Sequence, residues 1–228
     1  MTTQFHGPAS VDDFLSEAAW FDPELDIPYE GQTRMRLHFA KGVSDLSLRV
    51  AANQTALIGG HFYGPLPDVS VAGEEVSIQY RRFGIADWLG GVLRGERVGA
   101  TLVLHPAVAW DLVFHGGASQ VEVDLRQGRV TGVEISGGAS DVRLALPAPD
   151  AIVPLRIRGG ASDLTVTRPA NIPVGVRVRG GVSHLEIDRR QIGAAGGPLA
   201  LDSDGWSSAA ARYDLQLTGG ASRLSVAA

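Results

Sequence analysis

The sequence predicts an all-β fold: a single-stranded, right-handed, flattened β-solenoid of 21–22 residues per coil, with an N-terminal capping helix. Three observations predict it. A Gly-Gly-Ala-Ser motif starts at Gly116, Gly137 and Gly159, returns with Val in place of Ala at Gly180, and appears again at Gly219; the steps are 21, 22, 21 and 39 residues. A fixed period near 20 residues marks units that stack on one another. Behind each copy runs an alternating strand: Val121/Val123, Val142/Leu144, Leu164/Val166, Leu185/Ile187 and Leu224/Val226. The 29 glycines and 12 prolines are spread between these alternations, as suits a chain with many corners. Right-handedness follows from the chirality of strand crossovers.

Taken in order, residues 1–31 read as a helix and cap. Ser10 suits an N-cap with Asp13 at capping-box spacing, and Phe14, Ala18 and Phe21 make an apolar stripe over 9–21. With Trp20, this helix would cover the open edge and core of the first coil. Residues 32–95 read as irregular coils. Arg34 to Phe39 alternates, and Lys41-Gly42-Val43-Ser44-Asp45-Leu46 is a degenerate copy of the repeat. Gly59 to Pro65 reads as a turn-rich stretch, 69–80 as a further coil with Ala72-Gly73-Glu74-Glu75 at its corner, and 84–95 as a helical turn or loop. From 96 to 228 the coils are regular, each with one strand after the Ser and one before the next Gly-Gly. No linker interrupts 32–228.

At each corner the Gly-Gly pair reaches conformations that other residues avoid. Corners stacked about 4.8 Å apart leave no room for large side chains. Gly117, Ser119, Gly138, Ser140, Gly160, Ser162, Gly181, Ser183, Gly220 and Ser222 are therefore read as structural corner residues. The 39-residue step contains an insertion over 190–210, for which Trp206 is the expected anchor. The chain ends on Leu224 to Ala228 without an obvious cap, which suggests self-association or burial under that insertion.

Composition narrows the function. A net charge of −5 gives no global reason to bind nucleic acid or anionic membranes. Zero cysteines exclude disulfides, thiolate catalysis and Cys-based zinc sites. The N-terminus lacks the blocks of a signal peptide and no window suits a transmembrane helix, so a cytoplasmic location is expected. The six histidines form no His-x-x-x-His pair, Gly-x-Ser-x-Gly is absent, and no Lys-Ser/Thr follows any Gly-Gly; neither catalytic residues, a cofactor nor a metal is expected. Asp141 and Asp163 should be neighbours beside Gln120 and His184, either as a solvated face or as a cation-binding pair. On the other face Glu134, Arg156 and Arg177 should stack, and likewise Ser136, Arg158 and Arg179. Four clustered arginines repel unless something negative lies nearby. They read either as charge that keeps a flat sheet soluble or as a site for an acidic partner or glycan.

The Gly-Gly-Ala-Ser-Asp-Leu-x-Val repeats, with the ending Gly205-Trp206 to Ser222, resemble bacterial "toastrack" or "putative adhesin" β-solenoid domains. The resemblance covers 96–228 well and 32–95 weakly. It implies a fold without catalytic residues and a setting in envelope stress response. The expected function is a non-enzymatic scaffold that binds a protein partner or its own copy through a face or an end. The alternatives are a glycan- or polyanion-binding (or polysaccharide-active) β-helix using the arginines, and a stress-signal sensor.

Overall fold

The computed structural model describes residues 24–64, 66–80 and 99–228. The helix expected over 9–21 and the turn expected over 84–95 lie outside the described residues. Among the described residues there is no helix, hence none long and apolar enough to cross a membrane. The chain is all-β, in two mixed sheets. The first has the spatial order β1 (Glu24–Ile27), β4 (Ile58–Tyr63), β7 (Gly99–Leu104), β3 (Val43–Val50), β9 (Ala118–Asp124), β11 (Ala139–Ala145), β13 (Ala161–Thr167), β19 (Ala221–Ala227), β15 (Val182–Ile187) and β16 (Arg190–Ile192). The second runs β17 (Leu199–Asp202), β14 (Val174–Val178), β18 (Arg212–Leu217), β12 (Ile152–Arg158), β10 (Arg129–Ser136), β8 (Ala109–His115), β2 (Arg34–Phe39), β6 (Glu75–Tyr80) and β5 (Pro67–Ala72).

Each regular repeat contributes one strand to each sheet, and equivalent strands pair in parallel. Leu46, Val121, Val142, Leu164, Leu224 and Leu185 form one buried row across the first sheet. Leu37, Leu112, Val133, Leu155, Leu215 and Val176 form its counterpart in the second. These rows belong to one hydrophobic core. Each side chain of this size contributes about 1.5–3 kcal/mol by leaving water. Phe39 and Phe114 stack within it at 5.1 Å.

Between the corner alanine and the next buried residue the alternation slips by one. Asp45, Gln120 and Asp141 sit in that extra place with φ of 50°, 54° and 52°. Short polar residues such as Asp tolerate the left-handed region best. Asp45 and Asp141 thus have a backbone role that an alternating pattern does not reveal, one that Asp163 does not share.

The spatial order departs from the sequence order at both ends. The final pair, β18 and β19, lies between β12/β13 and β14/β15. Val226 is wholly buried and flanked by Val166 and Ile187, so the expectation of an open C-terminal strand is corrected. The insertion explains why. After β15 the chain reverses at Asp188-Arg189, and β16 pairs antiparallel with the outer edge of β15 while β17 does the same for β14. Those edges are then occupied, and the next repeat adds to the inner side. The 190–210 insertion therefore covers β14 and β15 and leaves β19 to its two parallel neighbours.

At the opposite end β6 and β7 lie outside β2 and β3, and the antiparallel strands β5 and β4 cover them. Two sequence expectations change here. Residues 58–63 form strand β4, paired on both sides by β7 and β1, where Gly59-Gly60 had suggested a turn. Residues 67–80 form an antiparallel hairpin turning at Gly73-Glu74 rather than a coil. Short antiparallel edge strands are a common way to blunt a sheet edge.

Candidate interaction surfaces

The corners make an open furrow of about 1200 Å³ that crosses the stack from Lys41 to Ala194. Its floor is glycine and alanine. The serines Ser119, Ser140, Ser162, Ser222 and Ser183 line it in that spatial order, one per repeat. At strand spacing, successive hydroxyls stand about 4.8 Å apart. The alanines turn inward, and Ser140, Ser162, Ser222 and Ser183 are exposed. The steric demand differs from the expectation that singled out Gly138, Gly160 and Gly220. The tight member of most pairs is the first glycine: a Cβ on Gly137 would lie 2.7 Å from the Gly117 nitrogen, and one on Gly180 2.6 Å from the Gly219 oxygen. On Gly138 it would lie 3.9 Å from its nearest neighbour. Gly117, with φ of 98°, does require glycine.

The outer face of the second sheet carries the arginines. Glu134 is in register with Arg156, and Ser136 with Arg158, as expected. The rest of the ladder is not formed: Gln216 separates Arg156 from Arg177, and Thr218 follows Leu217 between Arg158 and Arg179. Interposing β18 removes the direct repulsion between equivalent arginines. Arg158 pairs with Glu134 at 3.3 Å, and Arg177 with Asp202 at 2.5 Å. Arg156 and Arg179 form no ion pair among the described residues. Trp206 packs over Gly175, where a Cβ would come within 2.5 Å of its indole nitrogen. Arg177 and Arg212 lie over its ring at 4.7 and 4.9 Å.

The carboxylate row is split only at its His184 end: Asp141 and Asp163 keep equivalent places on the adjacent strands β11 and β13, between the pairs Ala139–Ala161 and Val142–Leu164. Asp163 is in register with Arg223, which in turn neighbours His184. The hydrogen bond from Arg223 holds the Asp163 carboxyl below the ordinary range. Asp141 pairs with Arg143 at 2.9 Å. Each carboxylate thus has its own cation. Tyr213 donates to the Pro147 carbonyl oxygen at 2.8 Å, and burial pushes its phenol above the ordinary value.

Two constellations escaped the sequence reading because their members are far apart in the chain. Arg168, whose side chain is 2 % exposed, donates to both oxygens of Asp188 at 2.8 and 2.7 Å. Replacing Asp188 by alanine leaves that guanidinium buried without its counter-charge. The expected loss is about 3–5 kcal/mol, read as a lower urea midpoint; an unchanged midpoint would refute the pairing's structural role. The second is Glu75, His38 and His115 on β6, β2 and β8. His38 Nδ1 is 3.2 Å from a Glu75 oxygen and its Nε2 is 2.8 Å from His115 Nδ1. No group of three or more His, Cys, Asp or Glu side chains is placed to hold a metal ion among the described residues.

No protein-family model and no curated protein matches the chain. Two solved structures align along its length. A "putative cell adhesion protein" from Clostridium sporogenes superposes with a TM-score of 0.59 at 12 % identity, covering 91 % of this chain and 99 % of the other. A "putative adhesin" from Bacteroides fragilis covers 92 % and 98 % at 8 % identity, with a TM-score of 0.30 that carries no common fold. The first likeness extends to the fold.

Proposed function

We propose that this protein is a non-enzymatic interaction protein, a β-solenoid scaffold of bacterial origin that holds an extended partner in its corner furrow. The observation that carries this reading is the furrow itself: one row of exposed hydroxyls at a fixed repeat, over a floor too shallow in side chains to obstruct a linear chain. Parallel pairing of equivalent strands supports the solenoid. The fold likeness to a protein named for cell adhesion supports a binding role, and it makes the bacterial envelope the proposed setting.

A second reading rests on Arg156 and Arg179, whose guanidiniums have no ion pair among the described residues. They would bind an acidic glycan or another polyanion across the face of the second sheet. One experiment separates the two. Ser140→Tyr with Ser162→Tyr fills the furrow and leaves the core untouched; Arg156→Ala with Arg179→Ala strips the face. Cosedimentation with purified bacterial envelope fractions is the assay. Loss of binding in the Tyr pair alone supports the furrow. Loss in the Ala pair alone transfers the function to the arginine face, and binding undiminished in both overturns both readings.

A further inference from the structure

Two histidines 77 residues apart meet on the outer face of the second sheet. Their strands β2 and β8 are adjacent and parallel, and the Phe39–Phe114 stack beneath pins the register at that point. His38 Nε2 stands 2.8 Å from His115 Nδ1, with the rings at 86° to each other. On its other side His38 Nδ1 meets Glu75 at 3.2 Å. With the Nδ1 proton given to Glu75, the lone pair of His38 lies on Nε2 and faces His115. A carboxylate that accepts from the distal nitrogen of an imidazole is the usual outer support of a metal-bound histidine.

The separation is informative. Two metal–nitrogen bonds of about 2.0–2.1 Å at a right angle place their nitrogens about 2.9 Å apart, whereas a tetrahedral angle needs about 3.3 Å. The observed 2.8 Å is a hydrogen bond between the two ring nitrogens, and it lies close to the cis separation in a tetragonal ion, which would take the place of the shared proton. The surroundings permit a cation. Arg36 is engaged by Asp111 at 2.8 Å and Arg158 by Glu134, so these two guanidiniums carry counter-charges of their own. Glu75 is 41 % exposed and His115 is exposed, which leaves room for water to complete the coordination.

We propose that His38 Nε2 and His115 Nδ1 form a two-imidazole chelate for a tetragonal divalent ion of the copper or nickel class, with Glu75 orienting His38. Both histidines lie outside the furrow and on the same sheet face as the arginines, where His115 shares a depression with Arg156, but the site uses neither Arg156 nor Arg179. The test is titration of the full-length protein with Cu²⁺ alone, read by calorimetry and by electron paramagnetic resonance. One ion per chain with hyperfine coupling from two nitrogens is expected. His38→Ala and His115→Ala should each lower affinity at least about tenfold, and the double variant no further, because a chelate is lost with either arm. Glu75→Gln should weaken binding by about 10–100-fold. His38→Gln and His115→Gln repeat the comparison should either alanine variant fail to fold. Absence of stoichiometric binding, single-variant affinities equal to the parent's, or losses that multiply in the double variant would each overturn the site.

Discussion

Gly159→Ala is expected to cost the protein about 3–5 kcal/mol, while Gly160→Ala, one residue away, leaves stability unchanged or raises it by up to about 1 kcal/mol. Gly159 has a φ of +151°, and a Cβ there would run into the carbonyl oxygen of Gly137 in the neighbouring corner. The obstacle is backbone held on both sides by the sheets, so it cannot swing away as a side chain could. The same carbonyl is fixed because its corner repeats the contact with the next: a Cβ on Gly137 would press on Gly116 and Gly117. At Gly160 the φ is not positive, and the nearest atom to an added Cβ is the Gly220 oxygen at 3.6 Å, ordinary van der Waals contact. Alanine there removes freedom from the unfolded chain without straining the folded one. Urea midpoints of the two variants against the parent decide the matter. Equal losses in both would mean that the corners are not in van der Waals contact through their first glycines.

Val226→Lys is expected to abolish cooperative folding. Val226 is wholly buried, between Val166 on β13 and Ile187 on β15. An ammonium there has no partner, and burying it or neutralising it costs several kcal/mol. Ser225→Lys is the control. Its side chain turns outward on the same strand, in register with Glu186, where a lysine finds water and a carboxylate. Thermal melts and light scattering distinguish the outcomes. A monomer that unfolds without a transition, beside a Ser225→Lys protein that melts like the parent, is the expected pair of results. A folded Val226→Lys protein with the parent's melting temperature would mean that β19 lies at an edge, as its place at the end of the chain suggests.

The two predictions differ in how much the sequence could say about them. Corners are legible: the Gly-Gly pair recurs, and stacking at strand spacing excludes side chains. Which glycine of each pair is squeezed is not legible, since both occupy the same motif; it follows from how neighbouring corners approach. The candidate surfaces divide in the same way. The serine row was visible as a repeat, but its concavity was not, because a furrow depends on the corner's shape in cross-section. The arginine ladder was drawn by assuming that the next repeat in sequence is the next in space. β18 breaks that assumption by placing Gln216 between Arg156 and Arg177.

What the sequence determined by itself is local and periodic. Alternation of apolar residues fixes which face of each strand is buried, and the recurring glycines fix where the chain turns, because both are consequences of backbone geometry within a few residues. Tertiary structure alone decided the order of the layers. Every repeat offers nearly the same edge to every other, so periodicity cannot rank them. The choice falls to the antiparallel strands β16, β17, β4 and β5, which consume the outer hydrogen-bonding edges and send the remaining repeats inward. For the same reason only the folded chain brings Glu75 to His38 and His115, and Asp188 to Arg168. Their meeting depends on register between distant segments, which no spacing along the chain encodes.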